Sequence, residues 1–185
     1  LGTSGQMSEG NLKTFTKLRE QAGMTNEEIM SMQKFSMVMG GDLEDNVVNF
    51  QAQAKALSMS KGAAINVKQL MADMVKVSNR TKLSIQGGAD GLAEAAVNAK
   101  LMGSNLDQVA AISDSLLNFE QSIEKELSAE LLLGKEINLE KARTAALNND
   151  MATVAAEITK QAGSAAEFGK MNRIQQDAIA TAMGM

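Results

Sequence analysis

Apolar residues recur along this chain at steps of three and four, the spacing that places them on one face of an α-helix. Leu12, Phe15 and Leu18 open the series, followed by Ile29, Met32 and Phe35. Leu43, Val47, Phe50, Ala54 and Leu57 form a third stripe, and Val67, Leu70, Met74 and Val77 a fourth. No alternating pattern of the kind a half-buried strand requires competes with them. The longest stripe is Val109, Ile112, Leu116, Phe119, Ile123, Leu127 and Leu131, which predicts one helix from Asn105 to about Leu133, buried along this face. At ~1.5 Å per residue it is roughly 40 Å long. Gly134 ends it, and further helices are expected over Leu139–Leu147, from Met151 to Gln161 and from about Asn172 onward.

Glycines and short polar side chains punctuate these stripes. Gly23 is followed by Thr25 and Glu28, a capping box in which each residue satisfies the other's backbone N–H. Gly163 with Ser164 and Glu167 repeats it, and Asn172 with Gln175 has the same form. Met39-Gly40-Gly41-Asp42-Leu43-Glu44 recurs as Met102-Gly103-Ser104-Asn105-Leu106-Asp107. In each, glycine can take the left-handed conformation that stops a helix and the following Asp or Asn caps the next. Asn148-Asn149-Asp150 is a further turn and cap. The fold class predicted is all-α: a bundle of about seven to nine helices joined by Gly-plus-cap turns.

Gly87-Gly88 is the best internal boundary. Residues 1–87 form a Met-rich helical subdomain; residues 88–185 form an acidic one with the long central helix. Nine of the fourteen methionines lie at or before Met74, where they are read as core. Residues 1–88 carry ten Lys/Arg against eight Asp/Glu, and residues 89–185 carry eight against fourteen. The chain opens on Leu1 and closes on Met183-Gly184-Met185, and it is read as a fragment of a longer chain.

Composition narrows the chemistry sharply. Among 185 residues there is no Pro, Cys, His, Trp or Tyr, and the five aromatics are all Phe. Without proline nothing forces a helix to break. Without histidine or cysteine there is no imidazole base, thiolate nucleophile or structural zinc site, and the usual serine-nucleophile arrangement fails. No Ser-x-x-Lys stands in a setting that marks a catalytic site. Glu120, Glu124, Glu126 and Glu130 crowd one helix, but bundle metal sites usually enlist a facing histidine, so a solvated acidic face is the better reading. Gly87-Gly88-Ala89-Asp90-Gly91 lacks the Gly-Lys-Ser/Thr ending of a phosphate loop and is read as a turn with Asp90 capping the next helix. Lys76, Arg80 and Lys82 cluster without interleaved aromatics and are read as surface charge. No catalytic, cofactor-binding or metal-ligating residue is assigned, and no enzymatic activity is expected. With a net charge of −4, direct binding of nucleic acid is not expected. No apolar run approaches the ~18 residues of a membrane span.

One stretch carries a resemblance. It runs from Leu116-Leu117-Asn118-Phe119-Glu120-Gln121-Ser122-Ile123-Glu124 through Glu126-Leu127 and Ala129-Glu130-Leu131-Leu132 to Gly134-Lys135-Glu136-Ile137-Asn138-Leu139-Glu140-Lys141-Ala142-Arg143. Ala166-Glu167-Phe168 and Lys170-Met171-Asn172-Arg173-Ile174-Gln175-Gln176 extend it. This text resembles a helical segment of tail tape measure and related virion structural proteins of tailed bacteriophages, most clearly over 89–185 and more vaguely over 20–88. The resemblance implies a long, mostly helical protein in the lumen of the tail tube, assembled in the host cytoplasm. Its length helps set tail length, and it leaves the tube before the genome. Implied partners are tail tube, baseplate or other virion proteins and sister copies of the chain, with no cofactor and no small-molecule substrate. Frequent glycine corners and the lack of a membrane-piercing segment depart from a ruler-like shaft, so a folded helical portion is expected. The alternatives are a packaged or ejected helical virion protein and a generic bacterial helical scaffold or adaptor.

Overall fold

The structure is a computed structural model and describes residues 9–20, 23–78, 81–82, 85–163 and 165–185. Eleven helices and no strand occur among the described residues. In order they are α1 (Glu9–Glu20), α2 (Asn26–Met39), α3 (Leu43–Ser60), α4 (Val67–Lys76), α5 (Gly88–Leu101) and α6 (Leu106–Leu116), followed by α7 (Phe119–Leu133), α8 (Glu140–Leu147), α9 (Met151–Ala162), α10 (Ala165–Lys170) and α11 (Arg173–Ala182). The all-α class holds, but there are more helices than the seven to nine expected. One reason is α10, which the apolar spacing did not announce. The other is that the predicted 105–133 helix is two helices.

That break has a physical cause. After Leu116 the chain leaves the helix at Leu117, and the Asn118 carboxamide oxygen accepts the backbone N–H of Gln121 at 3.5 Å, capping α7. Asn-x-x-Gln occurs at four places in the sequence, and all four begin helices: Asn66 before α4, Asn105 before α6, Asn118 before α7 and Asn172 before α11. Asn105 and Asn172 complete the reciprocal capping box with Gln108 and Gln175. The Thr25–Glu28 box forms as read, and Asp42 and Asp150 cap α3 and α9. The box read at Ser164 lies outside the described residues. Asp90 does not cap α5. Gly87, at φ 86°, holds that position, and Asp90 falls in the first turn, where its charge faces the positive end of the helix dipole.

Helix α5 is the centre of the molecule. Leu92, Ala93, Ala95, Ala96, Val97 and Ala99 are all buried, covered by α3 from one side and α9 from another. Alanine at these positions lets helix backbones approach closely. α8 and α9 use the same device through Ala142, Ala145, Ala146, Ala152 and Ala155. Asn98, also buried, donates its Nδ2 to the Ala152 carbonyl at 2.9 Å and ties α5 to α9. The entry to α5 is tight: a Cβ on Gly91 would sit 1.8 Å from the Gln86 carbonyl oxygen, so no other residue fits there. The predicted stripes of α2, α3 and α4 are inward as read, with Ile29, Met32, Phe35, Leu43, Val47, Phe50, Leu70 and Met74 buried. Met24 and Met71 are also core, whereas Met30, Met37 and Met59 face solvent.

Candidate interaction surface

The predicted long stripe divides at the α6–α7 break. On α6, Val109, Ile112 and Leu116 are 0%, 2% and 1% exposed. On α7, Phe119, Ile123, Leu127 and Leu131 are 45%, 45%, 54% and 87% exposed. The expectation that the whole stripe is core is therefore wrong for its second half. α7 has two occupied faces. One packs against α11, and the other lies against the 134–143 segment. The uncovered apolar residues lie on the arc between, spaced every four residues over ~18 Å of helix. Burying one such side chain stabilises by roughly 1.5–3 kcal/mol. Scattered exposed apolar residues are ordinary, but a contiguous run of four on one helix face marks a contact surface.

The inward face of α7 is polar and well tied. Arg143 of α8 forms an ion pair with Glu126, and both side chains are nearly buried, at 11% and 12% exposure. Arg143 also donates to Ser122 Oγ at 3.2 Å. The other Glu126 carboxylate oxygen accepts the Leu139 N–H at 3.3 Å, and Glu130 accepts the Ile137 N–H at 2.8 Å. Two of the four glutamates read as a solvated acidic face thus serve as acceptors for the backbone of the following segment. They hold the chain that returns from Gly134 to α8. Only Glu120 and Glu124 remain exposed, and neither makes an ion pair among the described residues. They edge the apolar run with negative charge. On the far side a groove of about 630 Å³ separates α7 from α11, lined by Lys125, Ser128, Leu132, Ile174 and Asp177 among others.

The basic cluster also divides. Lys76 is exposed and Arg80 lies outside the described residues, but Lys82 is only 3% exposed. Its Nζ donates to the Val75 carbonyl at 3.0 Å, at the last turn of α4, and to Ser31 Oγ of α2 at 3.5 Å. Next to it, Asp107 of α6 accepts from Thr81 Oγ1 at 2.9 Å and from the Ser78 N–H at 3.3 Å. Lys82, which lies between α4 and α5 in the chain, is therefore a buried tie to α4 and α2, not surface charge. Burial pushes its pKa below the ordinary lysine value, opposed in part by the nearby Asp107 charge. The unfolded chain then binds the proton more tightly than the folded one. Stability traceable to Lys82 accordingly rises as pH climbs from the lowered value to the ordinary lysine range.

A second concave surface lies between α1, α3 and α4 and encloses about 750 Å³. Leu18, Val47, Val48 and Met71 supply its apolar lining. Lys17, Lys55 and Lys68 stand around it, and Lys17 is engaged with Glu44 at 2.8 Å. That pairing and the Thr14 hydroxyl hold the Glu44 carboxyl below its ordinary pKa. Lys55 and Lys68 are exposed and form no ion pair among the described residues.

No group of three or more acidic side chains poised to hold a metal ion occurs among the described residues, and no described helix is long and apolar enough to cross a membrane. The molecule's distinctive surfaces are thus an acidic-edged apolar ridge and a basic-edged apolar cleft. Compared with known proteins, the chain matches no family model, no curated protein and no solved structure.

Proposed function

We propose that this chain is a helical portion of a phage tail structural protein of the tape measure type, working through protein contacts and without catalysis. The observation that carries this reading is the uncovered apolar face of α7. The segment that resembles tape measure proteins is the one that leaves four large side chains waiting for a partner. The absence of His and Cys from the sequence agrees with a structural role, as do the alanine contacts that bring α5, α8 and α9 together.

Particles of a phage encoding this chain test the reading. An antibody against residues 89–185 should detect it in purified virions, and Ile123→Glu with Leu127→Glu should keep it out of them. In-frame duplication of the 185-residue segment should lengthen the tail, by as much as ~280 Å if the copy runs through the tube as a single helix. Unchanged tails with the protein still in the particle would favour a packaged or ejected virion protein. Its absence from particles would leave the bacterial scaffold or adaptor.

A further inference from the structure

We infer that the ridge on α7 docks in the α1–α3–α4 cleft of a second copy of this chain, so that copies associate head to tail. The two surfaces match in chemistry and length. The ridge presents Phe119, Ile123, Leu127 and Leu131 beside two carboxylates, Glu120 and Glu124, that form no ion pair among the described residues. The cleft presents Val48 and the half-buried Val67 over a floor of buried Leu18, Val47 and Met71, beside Lys55 and Lys68, which form no ion pair among the described residues. Its lining follows α3 from Glu44 to Lys55, ~16 Å of helix, against ~18 Å for the ridge. Parallel pairing of the ridge with itself is disfavoured, because the Glu120 and Glu124 edges of two copies would then lie together, and like charges across an interface repel. The uneven charge of the two halves of the sequence acquires a purpose on this reading.

A contact between two different patches of the same molecule is heterologous. It does not stop at a dimer: it propagates into a ring or an open row of copies. This inference rests on α7 being a contact surface and names its occupant. It does not depend on where the protein resides.

Sedimentation of the 185-residue chain over a concentration series, at low and high salt, is the test. The mass should rise past that of a dimer, and less so in high salt, where exposed charges are screened. Glu120→Lys with Glu124→Lys, and separately Lys55→Glu with Lys68→Glu, should each weaken association by about tenfold or more. All four positions are exposed, so the variants keep the fold, which circular dichroism verifies. Mixing the two charge-reversed chains restores opposite charges at every contact and should restore growth. A chain that stays monomeric, one that stops at a dimer, or a mixture that fails to recover would each overturn the inference. A monomeric chain whose Ile123→Glu/Leu127→Glu form is still kept out of particles removes the second-copy occupant alone. A chain that self-associates although that same form enters particles normally removes the tail-docking reading alone.

Discussion

Helices α6 and α7 carry one continuous apolar stripe in sequence and two opposite fates in space. Val109, Ile112 and Leu116 vanish into the core; Phe119, Ile123, Leu127 and Leu131 stand in solvent. The difference is not in residue type, since both sets are large and aliphatic or aromatic. It comes from what holds each helix. α6 is fixed by apolar packing against α8 and α9. α7 is fixed by α11 on one side and, on another, by a polar seam in which Glu126, Glu130, Ser122 and Arg143 satisfy one another and the backbone of 137–139. Because that seam and α11 hold α7, its apolar arc is left over. An amphipathic stripe therefore predicts a surface that will be covered, without saying whether the cover belongs to the same chain.

Five substitutions sharpen or break this contrast. Arg143→Ala strands the nearly buried Glu126 carboxylate and should cost about 3–5 kcal/mol in urea unfolding; a loss below ~1 kcal/mol would mean the polar seam does not hold α7. Leu116→Ala opens a cavity at the end of the buried half-stripe and should cost about 2–5 kcal/mol by the same measurement. A near-neutral result there would erase the distinction between the two helices. Asn118→Ala removes the cap that separates them, with an expected cost of about 1 kcal/mol. Helical content by circular dichroism should scarcely change, and a rise would show the two helices merging into the single rod that the spacing alone predicts. Ile123→Ala and Leu127→Ala should each fall within about 0.5 kcal/mol for the isolated monomer. Costs above ~2 kcal/mol at both would place them in a core.

Much of this was legible in the sequence, for definite reasons. Helices in α2, α3 and α4 could be read because each stripe is buried within this chain and has an Asn, Asp or Thr cap at its start. The α6–α7 break was equally legible in principle. Asn118 and Gln121 repeat the signature that Asn172 and Gln175 display before α11, but the stripe runs across the cap without a lapse, and apolar spacing overruled it. The polar seam was not legible. Glu120, Glu124, Glu126 and Glu130 look alike in sequence, and which of them turns inward depends on Arg143, seventeen residues from its partner Glu126. Lys82 was misjudged similarly. Its neighbours Lys76 and Arg80 suggest a solvated cluster, while its amine donates to Val75 and to Ser31, the latter on α2 and far away in sequence.

The hidden Lys82 amine makes the joint between α4 and α5 readable by covalent chemistry. Reagents that acylate primary amines react only with groups they can reach, so exposed Lys55, Lys61 and Lys68 are modified in the resting molecule, whereas Lys82 must wait for the joint to open. Its modification rate under native conditions counts how often the amine leaves its seat against α4 and α2, a local opening with its own free energy below that of global unfolding. That single nitrogen is a clock for the step at which this connection comes loose from α2 and α4.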